Sequence, residues 1–211
     1  MSDPKLSLYA EPSWTSPWVF HAMVALEEKG LPYGLEVVSG PTLHRPEIRE
    51  RAIIDKVPIL VDGDAWITES LAISEYLAER YPAPAHPRLF PADLVQRARS
   101  RQVMSALRTS FFALREARPT SNIFGKPAPG PLSDKAKAEA DELVRIASAL
   151  IRPGATALFD AWCIADADLA LALMRLVACA DPVPRTLAEY ASAQWARASV
   201  QKFLGHVPAR G

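Results

Sequence analysis

The sequence predicts an α/β domain followed by an all-α domain. Up to Tyr81, short strand-like segments alternate with helical segments, and a proline-rich run then covers residues 82–92. Beyond that run only helical periodicity is present. Because a proline-rich run resists both helix formation and sheet pairing, we expect a domain over 1–81, a linker over 82–92 and a helical domain over 93–211.

Local signals predict each element of the first domain. Residues 5–9 alternate between polar and apolar side chains, which is typical of a strand. Ser16 followed by Pro17 is a favoured helix start and Gly30 a favoured helix end, so a helix is expected between them. The remaining elements are a strand over 33–38, a short polar helix over 44–51, a hairpin with strands over 59–61 and 65–68, and a helix over 69–81. The predicted order is β-α-β-α-β-β-α.

The second domain shows helical signals only. Segment 164–177 is apolar on nearly all sides, which predicts a buried central helix. A long helix is expected over 93–118, with Val103, Leu107, Phe111 and Leu114 on one face. The other predicted elements are a loop over 125–131, a helix over 134–151 capped by Ser133, and shorter helices over 185–193 and 200–204.

Composition narrows the class of protein. The 211 residues include 24 Lys plus Arg and 24 Asp plus Glu, and this zero net charge argues against a nucleic-acid binder. The sequence contains neither an apolar stretch of membrane-spanning length nor an apolar signal core. His and Cys show no metal-ligand spacing, so no metal is expected. On one helix Cys163 and Cys179 would lie roughly 24 Å apart, too far for a disulfide, which favours a reducing, cytoplasmic location.

Four short motifs resemble the cytosolic glutathione transferase family. They are Ser16-Pro17 before ALEEKG, Lys56-Val57-Pro58 before the third strand, Thr68-Glu69-Ser70 opening the third helix, and Trp162-Cys163-Ile164-Ala165-Asp166 opening the central helix. The strings REARPTSNIF (115–124) and QWARASVQKFL (194–204) resemble the bacterial YfcF-type branch of that family. The resemblance implies a thioredoxin-like domain that binds glutathione, a helical second domain and a homodimer, with glutathione as co-substrate.

The resemblance assigns the catalytic role to Ser16. The thiolate of glutathione, not its thiol, is the nucleophile, so a site must favour the anion near neutral pH. A hydroxyl that donates to the sulfur does this, helped by the positive end of a helix. The alternative is that Ser16 only caps the helix, and the nearby hydroxyls of Ser13 and Thr15 are further candidates for the same contact.

The resemblance also implies the glutathione-binding residues. A cis bond between Val57 and Pro58 would expose the Val57 backbone, which could pair with the cysteinyl backbone of glutathione as an added strand does. Lys56 could pair with the glycyl carboxylate, or be a solvated surface lysine. Glu69 and Ser70 would hold the γ-glutamyl group at a helix start, the alternative being an ordinary helix capped by Thr68.

Asp166 is predicted to be structural. It lies three residues after Cys163, in the spacing of a capping box, although sulfur is a poor acceptor and weakens one half of the box. Asp166→Ala is therefore expected to destabilise the fold by about 1 kcal/mol without specifically removing glutathione binding.

The second substrate is expected between the two domains, with Trp14, Phe111 and Phe112 as apolar walls or, alternatively, as core residues. Five arginines are predicted to share roughly one face of the long helix, which could be solvated, lie in a dimer interface or attract anionic co-substrates. They are Arg97, Arg101, Arg108, Arg115 and Arg118.

These inferences lead to one functional hypothesis and two alternatives. The hypothesis is a glutathione transferase whose bound thiolate attacks small electrophiles, and the resemblance adds glutathione-dependent peroxidase activity as a second reaction. The first alternative is a glutathione-dependent disulfide reductase that works through the ligand sulfur, because no cysteine lies near Ser16. The second is a non-enzymatic protein of the same fold that binds a hydrophobic ligand or a partner.

Overall fold

A four-stranded mixed sheet forms the centre of the first of two units, Met1–Leu89 and Phe90–Gly211. The computed structural model describes residues 5–38, 46–127 and 129–208; His44 and Arg45, in the predicted helix over 44–51, lie outside these ranges, as does Ala128 in the predicted loop. The strands are β1 (Leu6–Ala10), β2 (Tyr33–Val37), β3 (Ile59–Asp62) and β4 (Ala65–Thr68), in the spatial order β2-β1-β3-β4.

Helices α1 (Pro17–Lys29), α2 (Pro46–Arg51) and α3 (Ser70–Arg80) complete this unit, and the predicted order β-α-β-α-β-β-α is confirmed. Ser16 caps α1 by accepting from the Val19 N–H at 3.3 Å, and Gly30 ends it in the left-handed region at φ 66°. Every residue of 19–26 is buried, so α1 is covered on all faces.

Strand pairing brings three chain segments to one end of the sheet. β1 runs parallel to β2 and antiparallel to β3, with Tyr9 opposite Ile59. β3 runs antiparallel to β4, with Ile59 opposite Thr68. The segments that follow β1, precede β3 and follow β4 therefore all emerge at the same sheet end.

The division between the two units lies inside the segment for which the sequence predicts a linker. This segment, 82–92, contains no helix or strand, yet Leu89 and Phe90 are only 0% and 6% exposed. Leu89 and Phe90 therefore anchor a segment whose other residues are exposed or half-buried.

The second unit is all-helical, as predicted. Helix α8 (Ile164–Val177) is buried along most of its length and packs against α4, α7 and α9, which confirms it as the central helix. Ser133 caps α7 through the Ala136 N–H at 3.2 Å, also as predicted. The helices are α4 (Leu94–Thr109), α5 (Phe112–Ala117), α6 (Ser121–Phe124), α7 (Asp134–Leu150), α8, α9 (Arg185–Trp195) and α10 (Ala198–Leu204).

The prediction of one long helix over 93–118 is wrong. Helix α4 ends at Thr109, Ser110 is extended, and Phe111 takes the left-handed conformation at φ 60°. A carboxylate from another helix supports the break, because Glu139 of α7 accepts the Leu114 N–H of α5 at 2.9 Å. No glycine or proline marks this position, so the local sequence does not indicate the break. The expected apolar face therefore does not continue through Phe111 and Leu114.

Three further observations concern the described residues only. None of their helices has both the length and the apolarity needed to cross a membrane. No group of three or more metal-ligating side chains occurs among them. Cys163 and Cys179 are both free thiols, the first buried and the second half-buried.

Candidate functional site

The sheet end defined above collects most of the predicted site residues. Ser16 begins α1 after the β1–α1 loop. Val57 and Pro58 directly precede β3, while Glu69 and Ser70 directly follow β4. Since Ile59 pairs with Thr68, Pro58 and Glu69 are the next residues on their two strands at this end.

A carboxylate that the sequence analysis missed holds the β1–α1 loop. Glu11 Oε1 accepts the backbone N–H of Thr15 and of Ser16, both at 2.7 Å. Trp14, which lies between Glu11 and Thr15 in the loop, is buried and left-handed at φ 51°. Its backbone N–H points to the Glu11 carbonyl at 3.4 Å. The only signal in the sequence is an acidic residue five positions before the N-cap, a spacing that has no general meaning.

The three hydroxyls of this loop have different partners. Ser13 Oγ donates to Glu11 Oε1 at 3.5 Å, and it shares a hydrogen bond with Thr15 Oγ1 at 3.0 Å. Ser16 Oγ accepts from the Val19 N–H, and that contact uses a lone pair of the oxygen instead of its proton. Within the described residues the Ser16 O–H therefore remains a donor without a recorded acceptor, which distinguishes it from its two neighbours.

The Val57–Pro58 peptide bond is cis, as the family resemblance implies. Pro58 is buried, and Val57 is half-buried against an apolar cluster beside the sheet. Lys56 is exposed, so its two alternatives, a ligand contact and a solvated lysine, both stay open. The cluster consists of Tyr9, Val38, Ile48, Ala52 and Ile59.

The start of α3 has an unusual backbone. Glu69 is exposed and adopts φ 66°, ψ 114°, a region that side-chain-bearing residues rarely occupy and that recurs at functional sites. Its side chain makes no capping hydrogen bond among the described residues. Thr68 is the last residue of β4 and not the N-cap, so the alternative of an ordinary threonine cap is wrong.

A buried polar contact joins α1 to the first turn of α3. His21 Nε2 lies 3.0 Å from Ser74 Oγ, and that hydroxyl donates to the Ser70 carbonyl at 3.0 Å. Ser70 itself is only 3% exposed. The contact fixes the start of α3 relative to α1, and so fixes two of the segments that form this sheet end.

The three aromatic residues predicted to line a second-substrate pocket differ in burial. Trp14 of the first unit and Phe111 of the second are 6% and 9% exposed, which fits the core alternative. Phe112 is 61% exposed, and the Arg115 guanidinium lies 5.4 Å from the centre of its ring.

The prediction of a single arginine face is wrong. The helix break at Phe111 separates the set, and several members have specific partners. Arg108 pairs with Asp168 of α8. Arg118 is buried and bonds both oxygens of Asp181, at 2.6 and 2.8 Å. The other partners are the Phe90 ring for Arg101 and the Arg108 carbonyl for Arg115.

Asp166 forms the predicted capping box and has further partners. Its carboxylate accepts the Cys163 N–H at 2.8 Å, and the Cys163 sulfur faces the first turn, so both halves of the box are present. It also accepts the Leu158 N–H at 2.7 Å and the Tyr190 O–H at 2.6 Å. Burial, and then the Asp166 charge, raise the pKa of the Cys163 thiol far above its usual value, so this sulfur is not a nucleophile.

Comparisons with known proteins match both units of the chain to one family. Residues 13–85 match the family model described as glutathione S-transferase, N-terminal domain, and residues 93–208 match the C-terminal domain model. A solved structure of a glutathione transferase homologue from Burkholderia GL BGR1, with bound glutathione, is 35% identical with a TM-score of 0.81. The alignment covers 96% of this chain and 97% of that one.

Two curated relatives match over shorter regions. Glutathione S-transferase Z1 of Arabidopsis thaliana is 37% identical over 106 residues, which is 49% of this chain and 45% of the relative. A stringent starvation protein A homologue of Haemophilus ducreyi is 36% identical over 91 residues, 43% of this chain and 41% of the relative. The chain thus spans less than half the length of these two relatives.

Proposed function

Since this chain belongs to the glutathione S-transferase family, we propose that it binds glutathione on its first unit and transfers the activated thiolate to small electrophiles. One observation carries the proposal. Ser16, whose O–H has no acceptor among the described residues, caps α1 at the same sheet end as the cis Val57–Pro58 bond and the left-handed Glu69.

The chemistry of thiol activation suits Ser16. The pKa of a free thiol lies above neutral pH, so the site must lower the pKa of the bound thiol to generate nucleophile. A hydroxyl that donates to the thiolate stabilises the charged form, and the positive end of α1 acts in the same direction. Because Ser16 Oγ already accepts an N–H, its own proton is polarised and becomes a better donor.

The remaining residues would bind the peptide parts of the ligand. The Val57 backbone can pair with the cysteinyl residue of glutathione in the manner of an added strand. Ser70 and the first-turn N–H groups of α3 can hold the γ-glutamyl carboxylate, while Glu69 can accept from its ammonium group. Lys56, exposed beside Val57, supplies a positive charge for the glycyl carboxylate.

Two reactions of the thiolate follow from this site. With an aryl halide, a carbon–sulfur bond forms and halide leaves. With a hydroperoxide, the thiolate attacks oxygen, the O–O bond breaks and the alcohol leaves; the resulting glutathione sulfenic acid reacts with a second glutathione to give the disulfide and water. We propose the first as the main activity and the second as an additional one.

The test follows the thiolate absorbance of bound glutathione across pH in the wild type and in Ser16→Ala. We expect the wild type to lower the pKa of the bound thiol by one unit or more, and Ser16→Ala to lose about one unit of that shift. Ser133→Ala is a matched control, because it removes a similar cap from α7 and should leave the pKa of the bound thiol unchanged.

Ser13→Ala and Thr15→Ala test the neighbouring hydroxyls. They are expected to leave the pKa of the bound thiol within a few tenths of a unit of the wild type, since these two hydroxyls already bond each other. An equal pKa in wild type and Ser16→Ala would assign activation to another donor. Failure of the wild type to bind glutathione would refute the proposed function.

Two alternatives give different results in a substrate panel. A disulfide reductase would reduce mixed disulfides of glutathione and leave aryl halides unchanged. A non-enzymatic binding protein would bind glutathione yet turn over neither aryl halides, hydroperoxides nor disulfides. We also propose a homodimer and a cytoplasmic location from the family resemblance; light scattering of the purified protein and cell fractionation test them.

A further inference from the structure

We propose that Glu11 is a positioning residue, which holds the Ser16 hydroxyl against the glutathione sulfur by fixing the backbone of the β1–α1 loop. This inference rests on the proposed function of Ser16. Glu11 is not expected to touch the ligand; it acts through the loop.

The contacts of Glu11 support a positioning role. One oxygen, Oε1, accepts two consecutive backbone N–H groups at 2.7 Å each, from Thr15 and Ser16. Hydrogen bonds to a carboxylate are about twice as strong as those between neutral groups. The second of them belongs to the residue that carries the reactive hydroxyl, so the Glu11 carboxylate directly restrains the backbone from which Ser16 Oγ projects.

The environment of the other Glu11 oxygen supports a role beyond stability. Oε2 is buried and has no hydrogen-bond partner among the described residues. A buried acceptor without a donor is unfavourable, and native proteins retain such groups mainly where the arrangement has another use. The left-handed Trp14 in the same loop is a second unfavourable feature within five residues.

The two bonds from Glu11 act at the residue where the loop meets the helix. Ser16 lies at the junction of the loop and α1, with extended backbone angles of φ −69° and ψ 120°. Its Oγ contact to Val19 is long, at 3.3 Å, and constrains the hydroxyl only weakly. Displacement of a catalytic group by about 1 Å is enough to lower a rate by orders of magnitude.

Two substitutions of Glu11 distinguish the effect of side-chain length from the effect of charge. Glu11→Gln keeps the length of the side chain and one acceptor oxygen but removes the negative charge. Glu11→Asp keeps the charge but withdraws the acceptor by about 1.5 Å, the length of one C–C bond. If position matters, Gln retains most of the wild-type function and Asp does not.

The measurements are the pKa of bound glutathione, its Kd, and kcat with an aryl halide. For Glu11→Asp and Glu11→Ala we expect the pKa of the bound thiol to rise by at least half a unit, kcat to fall about tenfold, and Kd to stay within twofold. For Glu11→Gln we expect less than half of these changes. Glu79→Ala, which removes an exposed carboxylate near the end of α3, is the charge control and should change none of them.

Double variants with Ser16→Ala give the decisive comparison. If Glu11 acts only through Ser16, adding Glu11→Ala to Ser16→Ala produces no further rise in the pKa of the bound thiol. Additive shifts, or an unchanged pKa in Glu11→Asp and Glu11→Ala while Ser16→Ala raises it, would overturn the role of Glu11 and leave the proposed function intact. An unchanged pKa in Ser16→Ala would overturn the role of Glu11 together with that of Ser16, and only a failure of the wild type to bind glutathione would refute the proposed function itself.

Discussion

Asp166 offers the sharpest test of how the second unit is stabilised. Its carboxylate is fully buried and accepts three hydrogen bonds, from Leu158, Cys163 and Tyr190, at 2.6 to 2.8 Å. Asp166→Ala leaves all three donors buried without an acceptor. Each orphaned donor costs about 1–3 kcal/mol, so even with partial relaxation the free energy of unfolding should fall by about 4 kcal/mol.

This magnitude is well above the value of about 1 kcal/mol that a capping box alone predicts. The difference comes from Leu158 and Tyr190, which lie outside the box and which the sequence pattern does not reveal. Asp166→Asn keeps the volume and one acceptor oxygen, so we expect an intermediate loss of about 2 kcal/mol.

Urea unfolding of the full chain, followed by circular dichroism, measures these changes. Asp141→Ala is the control, because Asp141 is an exposed carboxylate whose pair with Lys137 should contribute little. A loss below about 1 kcal/mol for Asp166→Ala would show that the three contacts do not act as an interdependent network. The folded variant should still bind glutathione, since Asp166 lies in the second unit.

Three further predictions concern the ionisable groups. Burial tends to raise the pKa of Asp62, but hydrogen bonds from Tyr76 and Lys5 outweigh it and hold that pKa below its usual value. The stability that this carboxylate contributes is therefore complete above about pH 4 and is lost as the pH falls through the lowered pKa. In Asp62→Asn the urea midpoint should therefore decrease less steeply as the pH is lowered into the acid range. An unchanged slope would contradict this prediction. Arg118→Met leaves the carboxylate of Asp181 without its bidentate partner and should lower the free energy of unfolding by about 3 kcal/mol, whereas Arg145→Met, at an exposed pair, should have no measurable effect in the same assay. In the native protein iodoacetamide should label Cys179 before Cys163, because Cys163 is fully buried and the pKa of its thiol is raised. Mass spectrometry after timed quenching measures the order of labelling. Equal rates would show that the start of α8 opens readily.

The parts of the fold that the sequence predicts are those with local causes. Ser16, Pro17 and Gly30 bound α1 as expected because N-caps and left-handed C-caps depend only on neighbouring residues. The hairpin of β3 and β4 turns at Gly63, which has φ 61°. Helix α8 is buried because nearly all its side chains are apolar, and burial follows directly from that composition.

The predictions that are wrong depend on contacts between residues that lie far apart in the sequence. Just after the break between α4 and α5, the Leu114 N–H is accepted by Glu139, which lies 25 residues further along the chain. Arg108 and Arg118 pair with Asp168 and Asp181, which lie 60 and 63 residues further along the chain. Sequence periodicity places these side chains on one helical face because it contains no information about a partner on another helix.

At the candidate site, two roles of Ser16 that appear as alternatives in the sequence are compatible in the structure. The sequence presents the cap and the donor to glutathione as alternative roles of Ser16. A cap uses a lone pair of the hydroxyl oxygen, whereas activation of a thiolate uses the hydroxyl proton, so one side chain can do both. The cap uses a lone pair of the oxygen and the Glu11 carboxylate fixes the backbone beneath it, which leaves the hydroxyl proton of Ser16 available for chemistry.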